Sequence, residues 1–119
     1  MQVLAYDAFV PDSGDPLVQM VDLDTLFVQS DVVTLHCPLT PENKGLIDRK
    51  KLELIRPDAV FLLMSRAHLV DFDALVEMAN AGRFKAAIDV YPTEPVPPDA
   101  PVRKSANTIL SAHLAGNVP

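Results

Sequence analysis

Glycine is scarce in this sequence, with four in 119 residues, and none of them belongs to a G-x-G-x-x-G turn. That turn lets the backbone approach a dinucleotide pyrophosphate closely, so its absence removes the most direct signature of a nucleotide site. Cysteine is scarcer still. Cys37 stands alone and cannot form an internal disulfide, which predicts a reducing compartment.

Positive charge and long apolar runs are also lacking. Ten Lys and Arg residues against sixteen Asp and Glu give a net charge of −6, which argues against a nucleic-acid partner. No apolar run approaches the roughly eighteen residues of a membrane-spanning helix, and the sequence start lacks the basic segment of a signal peptide. The sequence therefore predicts a cytoplasmic protein with no nucleic-acid partner and no membrane partner.

Apolar residues, by contrast, make up 49% of the chain, which is enough for the core of one domain. Five short runs are rich in Val, Ile and Leu, and their apolarity is continuous rather than alternating. These runs are QVLAY (2–6), DVVTLHC (31–37), DAVFLLM (58–64), KAAIDV (85–90) and NTILSAH (107–113). Continuous apolarity predicts strands that are buried on both faces, as in a parallel sheet.

Three segments with helical character separate these runs: LDTLFVQ (23–29), DRKKLELI (48–55) and DFDALVEMANAG (71–82). In the last segment Asp71 is placed to cap the N-terminus, and Gly82 is placed to end the helix in a left-handed conformation. Strands that alternate with helices of this size predict an α/β fold, in which helices flank an open parallel sheet.

Asp7 closes the first apolar run. An acidic residue at the carboxyl end of an early strand can accept hydrogen bonds from both hydroxyls of an adenosine ribose. Aspartate is also a common turn residue at a strand end. Taken alone, Asp7 fits either role.

The second apolar run leads into HCPLTP (36–41), where two prolines turn the chain sharply. The carboxyl edge of an open α/β sheet is where such folds bind their ligands. The segment is either a wall for the adenine end of a nucleotide or a proline-terminated strand end in which Cys37 packs as a small apolar residue. The residues by themselves favour the second interpretation.

Arg66 follows the third apolar run, at the same predicted edge. Its planar guanidinium group matches a carboxylate with two parallel hydrogen bonds, which makes it a candidate for binding an acidic substrate. The alternative is an ion pair with a local acid, Asp71 or Asp73.

Glu94 lies in a loop (92–101) that holds five of the eleven prolines, and His113 ends the last apolar run. A carboxylate against one ring nitrogen of a His fixes its tautomer and orientation, as proton transfer requires. The stiff loop is placed to hold Glu94 toward His113. The alternatives are a solvated loop acid and a polar strand end. For His68 the sequence offers no partner, and we interpret it as structural or exposed.

Taken in this order, the segments resemble the NAD-dependent D-isomer-specific 2-hydroxyacid dehydrogenases, which include phosphoglycerate, glycerate, formate and D-lactate dehydrogenases. The matching stretches are YDAF, LFVQSDVVTLHCPLTPENKGLID, LIRPDAVFLLMSRAHLVDFDALVEMANAGRFKAAIDVYPTEPVPPDAPV and NTILSAHLAGN. The resemblance implies an incomplete Rossmann-like domain, NAD as cofactor and a small 2-hydroxy acid or 2-keto acid as substrate. It also implies a homodimer in the full-length parent and no metal site.

The resemblance assigns roles to individual residues. Arg66, Glu94 and His113 match the catalytic residues: Arg66 binds the substrate carboxylate, His113 exchanges a proton with the substrate, and Glu94 stabilises the protonated His113. Seven residues match cofactor-binding positions: Asp7, Cys37, Pro38, Thr40, Ser65, Asp89 and Gly116. The charge of Asp7 implies a preference for NAD over NADP, because it would repel a 2′-phosphate.

The sequence departs from the family pattern after Arg66, where Ala67 and His68 replace residues that are usually small, mostly glycine. Two alternatives to the dehydrogenase stay open at this point. One is a non-catalytic, NAD-sensing protein on the same scaffold, similar to known corepressors. The other is an unrelated nucleotide-binding α/β domain such as a methyltransferase.

By resemblance, residues 1–119 correspond to the later part of the NAD-binding domain, without its glycine-rich βα unit and without the substrate domain. We therefore expect the 119 residues alone to bind NAD weakly and to catalyse no turnover. A missing strand would also leave an open sheet edge and apolar surface, which predicts self-association.

Overall fold

The computed structural model describes residues 1–116, which fold into parallel sheets and short helices. The strands are β1 (Val3–Ala5), β2 (Val18–Met20), β3 (Val32–Leu35), β4 (Val60–Leu63), β5 (Lys85–Ile88) and β6 (Thr108–Leu110). The helices are α1 (Leu23–Gln29), α2 (Arg49–Glu53) and α3 (Phe72–Asn80), with short 3-10 turns at Ala67–Leu69 and Pro101–Lys104. The arrangement confirms the predicted α/β fold.

The main sheet has the order β3-β4-β5-β6, and every pairing in it is parallel. Its register aligns Leu35, Leu63, Ile88 and Leu110 in one row. Because these residues end their strands, the loops that follow all leave the sheet at the same edge. This edge is where ligands bind in open α/β sheets.

A second, two-stranded parallel sheet pairs β1 with β2. The sequence interpretation missed β2, because three residues between a turn-rich segment and a helix give no periodic signal. It also predicted one sheet, whereas the described residues form two that share no ladder hydrogen bonds. Asp7 and the catalytic candidates therefore follow strands of different sheets.

The main sheet is buried on one face only, which corrects the prediction of burial on both. Buried residues alternate along its strands, and they join a single cluster with side chains of all three helices, including Phe27, Leu52 and Leu75. The rings of Phe27 and Phe61 stack with centroids 6.4 Å apart. On the opposite face Val32 and Ile109 are 57% and 75% exposed, since no helix among the described residues covers them.

Each α-helix begins after an aspartate whose side chain caps it. The carboxylates of Asp22, Asp48 and Asp71 accept hydrogen bonds from backbone N–H groups three residues on, at 2.7, 2.9 and 3.1 Å. Asp71 and Gly82, which has φ of 73°, confirm the predicted limits of α3. Helix α2 is shorter than predicted, because the N–H groups of residues 54 and 55 bond three residues back and tighten the last turn.

No helix formed by residues 1–116 combines the length and the apolarity needed to cross a membrane.

Candidate active site

Three neighbouring strands deliver polar residues to one edge of the main sheet. Arg66 follows β4 by three residues, Asp89 directly follows β5, and His113 follows β6 by three residues. The aligned strand ends place all three at the carboxyl edge. The catalytic candidates on the main sheet thus share one rim, as the sequence interpretation expected.

Glu94 and His113 contact one another directly at this edge. Nδ1 of His113 lies 2.8 Å from Oε2 of Glu94. The other carboxylate oxygen, Oε1, accepts a hydrogen bond from the backbone N–H of Tyr91 at 3.0 Å. With Nδ1–H donating to the carboxylate, Nε2 is left as the acceptor that can take a proton.

The same contacts keep Glu94 ionised. The hydrogen bond from His113, followed by the one from the Tyr91 N–H, holds the pKa of the Glu94 carboxyl below its usual range. A carboxylate that remains charged through neutral pH can stabilise a positive imidazolium beside it. The pair is therefore arranged for proton exchange at Nε2 of His113.

The backbone turn that carries His113 is left-handed, with φ of 57°. A non-glycine residue reaches this region at a cost, so neighbouring contacts must hold it there. The buried carboxylate of Asp89 does so from both sides of His113. It accepts hydrogen bonds from the Ser111 hydroxyl at 2.5 Å and from the N–H groups of Leu114 and Ala115 at 2.9 and 2.8 Å.

Asp89 is only 1% exposed, yet it remains an acceptor. Burial acts to raise its pKa, but the hydrogen bonds from Ser111, Ala115 and Leu114 outweigh this and leave the pKa below its usual range. The charged carboxylate thus stabilises the His113 turn through these hydrogen bonds. Its predicted contact with a cofactor stays a prediction.

Arg103 stabilises the proline-rich loop through two hydrogen bonds to its backbone. Its guanidinium group donates to the backbone carbonyls of Pro97 at 2.8 Å and Val96 at 2.6 Å. A cleft of about 440 Å³ opens between this loop and the His113 turn, with Glu94 and His113 in its wall. The loop is therefore more than a connector, because it fixes the acid of the pair against a cleft.

Arg66 is exposed and takes part in no ion pair within residues 1–116. Its guanidinium group donates to the carbonyl of Ser65 at 2.7 Å, and it does not pair with Asp71 or Asp73. The alternative interpretation of Arg66 as a partner for a local acid is therefore not observed. Its remaining donors are available to an external anion.

The residues that follow Arg66 occupy different environments. Ala67 is buried, whereas His68 is exposed and lines a shallow pocket beside Lys44, Phe72 and Pro92. The backbone carbonyl of His68 accepts a hydrogen bond from the N–H of Gly45 at 2.9 Å.

Cys37, Pro38 and Thr40 lie in a loop whose shape is set by Asn43. The Asn43 side chain donates to the carbonyl of Pro38 and accepts from the N–H of Thr40, both at 2.7 Å. Cys37 is exposed, contrary to the interpretation of it as a packed apolar residue. Sequence reasoning missed Asn43, whose only signal is weak, since an Asn near a proline turn is common.

Asp7 follows β1 by two residues and forms a local turn. Its Oδ1 accepts hydrogen bonds from the N–H groups of Phe9 at 2.8 Å and Val10 at 3.1 Å. Its other oxygen has no hydrogen-bond partner in the part of the chain that the structure describes. Both roles considered for Asp7 are thus compatible, because the turn uses one oxygen and leaves the other. Gly116 lies in an exposed turn at the end of the described residues.

The motif residues and the fold that carries them match one known family. Residues 1–115 match the family model described as D-isomer specific 2-hydroxyacid dehydrogenase, NAD binding domain. The chain belongs to this family. Its NAD-binding fold and its kinship with dehydrogenases, both expected from the motifs, are thereby confirmed.

Curated members of the D-isomer specific 2-hydroxyacid dehydrogenase family align over nearly the whole chain. D-3-phosphoglycerate dehydrogenase of Archaeoglobus fulgidus is 40% identical over 120 residues, which is 98% of this chain and 23% of that protein. Hydroxypyruvate reductase of Blautia hydrogenotrophica is 38% identical over 117 residues, which is 97% of this chain and 36% of that protein. The chain therefore spans between about a quarter and about a third of the length of these relatives.

Two solved structures superpose closely on the chain. The TT0316 protein from Thermus thermophilus gives a TM-score of 0.86 at 36% identity, over 96% of this chain and 36% of that one. NAD-dependent formate dehydrogenase from Staphylococcus aureus, solved in complex with NAD, gives 0.86 at 31% identity, over 95% of this chain and 34% of that one.

The residues present fit NAD, the cofactor of the D-isomer specific 2-hydroxyacid dehydrogenases. The hydroxyl oxygen of Ser65 is buried and has no hydrogen-bond partner among residues 1–116. A buried hydroxyl left without a partner costs about 1–3 kcal/mol, so a polar ligand group at this edge would relieve it. Asp7 adds a carboxylate oxygen at the end of β1.

Sequence reasoning missed two functional contributors among the described residues besides Asn43. Tyr91 gives its N–H to Glu94, and Ser111 gives its hydroxyl to Asp89. Their positions between motif residues were visible, but the Tyr91 contact depends on the fold of the loop after β5, and the Ser111 contact depends on how β5 and β6 align.

Proposed function

We propose that these residues form the cofactor-binding and proton-transferring part of an NAD-dependent dehydrogenase that acts on a small 2-hydroxy acid or its 2-keto acid. The observation that carries the proposal is the 2.8 Å contact between Nδ1 of His113 and Oε2 of Glu94 at the carboxyl edge of a parallel sheet. Kinship with phosphoglycerate dehydrogenase and hydroxypyruvate reductase supports the substrate class.

The proposed proton chemistry centres on His113. Its Nε2 takes the hydroxyl proton of a 2-hydroxy acid during oxidation and returns a proton during reduction. Glu94 stabilises the imidazolium that forms, because its carboxylate already accepts the proton on Nδ1. When bound, NAD supplies the hydride acceptor for the substrate carbon.

Arg66 is proposed to bind the substrate carboxylate. Its guanidinium group is exposed, lies at the same edge as His113, and has no acidic partner within residues 1–116. A fork of donors with no acid opposite it suits a bidentate carboxylate. Held in this way, a 2-hydroxy acid presents its hydroxyl group toward His113.

Binding of an inert substrate analogue tests the role of Arg66. We expect oxamate, added to the chain in the presence of excess NADH, to shift the NMR signals of the His113 ring, which lies at the same edge as Arg66 and is present in every variant compared. Arg66→Ala should abolish the response to oxamate and preserve the response to NADH, since Arg66 is assigned to the substrate alone.

Arg49→Ala is the matched control, because Arg49 is also exposed but pairs with Glu77 at 2.7 Å on the helices. It should retain both responses. Oxamate binding that survives Arg66→Ala, or that Arg49→Ala removes equally, would contradict the assignment.

The 119 residues by themselves are proposed to bind NAD weakly and to catalyse no turnover. They contain no glycine-rich turn for the pyrophosphate, and residues 1–116 share a single buried core, with no second domain among them to exclude water from the reacting atoms. Absorbance at 340 nm should therefore stay constant when NADH and glyoxylate or hydroxypyruvate are mixed with the chain. Steady oxidation of NADH would contradict this expectation.

A further inference from the structure

Tyr91 contacts both Glu94 and the strand end that leads to His113. It follows β5 by three residues, and Glu94 follows it by three more. Its backbone N–H donates to Oε1 of Glu94 at 3.0 Å, so this residue helps to orient the acid. The end of β6 must also be held close to Glu94, because His113 follows that separate strand.

The hydroxyl group of Tyr91 reaches that second strand. It donates to the backbone carbonyl of Ser111 at 2.7 Å, and the carbonyl of Ile88 lies 3.2 Å away. Ser111 is two residues before His113, at the start of the left-handed turn. A single residue thus contacts the Glu94 carboxylate through its backbone and the His113 turn through its side chain.

Packing alone does not explain this hydroxyl group. The Tyr91 ring meets Phe72 edge-on, with centroids 6.2 Å apart, and a phenylalanine ring would make the same contact. Burial, with the charge of Asp89 adding to it, raises the pKa of the Tyr91 phenol. The hydroxyl group therefore keeps its proton and remains a donor to Ser111 at neutral and mildly alkaline pH.

We propose that Tyr91 is a positioning residue, whose hydroxyl group ties the end of β6 to the loop that carries Glu94 and so sets the Glu94–His113 contact. Its effect on catalysis rests on the proposed function, but its effect on the pair does not. Loss of the hydroxyl group would leave the ring and the backbone N–H in place and free the His113 turn to move away from Glu94.

Tyr91→Phe in the 119-residue chain tests the proposal. The sequence has two tyrosines, so Tyr6→Phe is a matched control, because Tyr6 directly follows β1 and thus belongs to the other sheet. Nitrogen-15 NMR of the His113 ring reports the ratio of the two neutral tautomers. We expect Tyr91→Phe to lower the preference for the Nδ1–H tautomer on the order of 5-fold, the worth of one ordinary hydrogen bond.

A second readout is the titration of the Glu94 carboxyl carbon. Because part of the lowering of the Glu94 pKa comes from His113, its midpoint should move upward in Tyr91→Phe and stay unchanged in Tyr6→Phe. A role in packing alone would lower the urea midpoint of unfolding and leave both the tautomer ratio and the Glu94 titration as in the wild type. That result would overturn the proposal.

Replacing Tyr91 with 4-aminophenylalanine completes the test, because the amino group restores a donor at the same place. Recovery of the wild-type tautomer ratio supports the proposal. Failure to recover, in a chain whose amide spectrum remains folded, would overturn it. These readouts need neither NAD nor turnover, so they remain informative even when the dehydrogenase assignment fails.

Discussion

At the scale of single residues, His113 shows how the site stores a strained conformation. Its left-handed backbone is unfavourable by roughly 1–2 kcal/mol for a residue with a side chain. Three hydrogen bonds to Asp89, from Ser111 on one side and Leu114 and Ala115 on the other, hold the turn in place. The backbone of the His113 turn is thus held by a buried carboxylate on the neighbouring strand.

The sequence made a Glu94–His113 pair a candidate, because a stiff proline loop and a strand-end His are local features. It left a solvated loop acid and a polar strand end as alternatives until the resemblance to the dehydrogenase family favoured the pair. It was insufficient to assign Asp89 its hydrogen bonds. Those depend on β5 and β6 ending in the same row, and neither segment encodes that register by itself. The cofactor role of Asp89 and the substrate role of Arg66 remain predictions.

Asp7→Asn is a prediction at this scale. Asparagine keeps the oxygen that accepts from the N–H groups of Phe9 and Val10, so the turn should survive while the charge is removed. We expect the preference for NAD over NADP to fall about 10-fold, because one charge-assisted hydrogen bond is weakened and repulsion of the 2′-phosphate ends. Titration calorimetry with each cofactor measures the ratio.

Asp99→Asn provides the control, since Asp99 is an exposed loop acid that makes no hydrogen bond through its side chain within residues 1–116. It lowers the net negative charge by the same amount and should leave the ratio unchanged. An equal loss of preference in both variants would assign the effect to net charge and count against a ribose contact at Asp7.

At the scale of secondary-structure elements, the helices were the most predictable. Each has an aspartate cap, and α3 adds a clear apolar face and a terminal glycine, all of which are local signals. Most strand positions could also be predicted from their apolar runs, although β2 was missed. The exposure of the second face of the sheet could not be predicted, because a continuous apolar run does not reveal whether helices cover one side or both.

Gly82→Ala tests the end of α3. With φ of 73° at this position an alanine is strained, although its Cβ would meet only Asn107 Nδ2 at an ordinary 3.9 Å. We therefore expect the free energy of unfolding to fall by about 1–2 kcal/mol, from backbone strain and not from a clash. Urea titration followed by circular dichroism measures the change.

Gly116→Ala is the comparison, because no left-handed conformation is required there and an added Cβ would meet nothing within 4 Å. Its free energy of unfolding should change by less than about 0.5 kcal/mol. Equal effects of the two substitutions would show that the left-handed conformation at Gly82 is not what stabilises the helix end.

At the scale of the whole molecule, acid should unfold the chain through its carboxylates. Asp22, Glu77, Asp89 and Glu94 all have pKa values below their usual range. The unfolded chain therefore binds protons more readily than the folded one, and stability present above about pH 4.3 is lost as the pH falls through the folded pKa values. The urea midpoint of unfolding should therefore be nearly the same at pH 7 and pH 5 and should be lower at pH 3.

Glu77→Gln isolates one contribution. The pKa of Glu77 is lowered by its hydrogen bond from Arg49, so the variant should lose less of its urea midpoint between pH 5 and pH 3 than the wild type does. Glu42→Gln, in an exposed loop, should follow the wild type. An equal loss of urea midpoint between pH 5 and pH 3 in the wild type and both variants would contradict a role for the Arg49 contact in acid stability.

The two sheets contribute unequally to the buried hydrophobic core. No residue before Phe27 belongs to the buried hydrophobic core, whereas β4 and β5 contribute every second residue to it. Opening of β1 and β2 thus exposes little apolar surface and costs little free energy. A dinucleotide that contacts both sheets would place its adenosine end against β1 and β2 and its nicotinamide end against the main sheet. Part of its binding free energy would then be used to hold β1 and β2 in their closed arrangement.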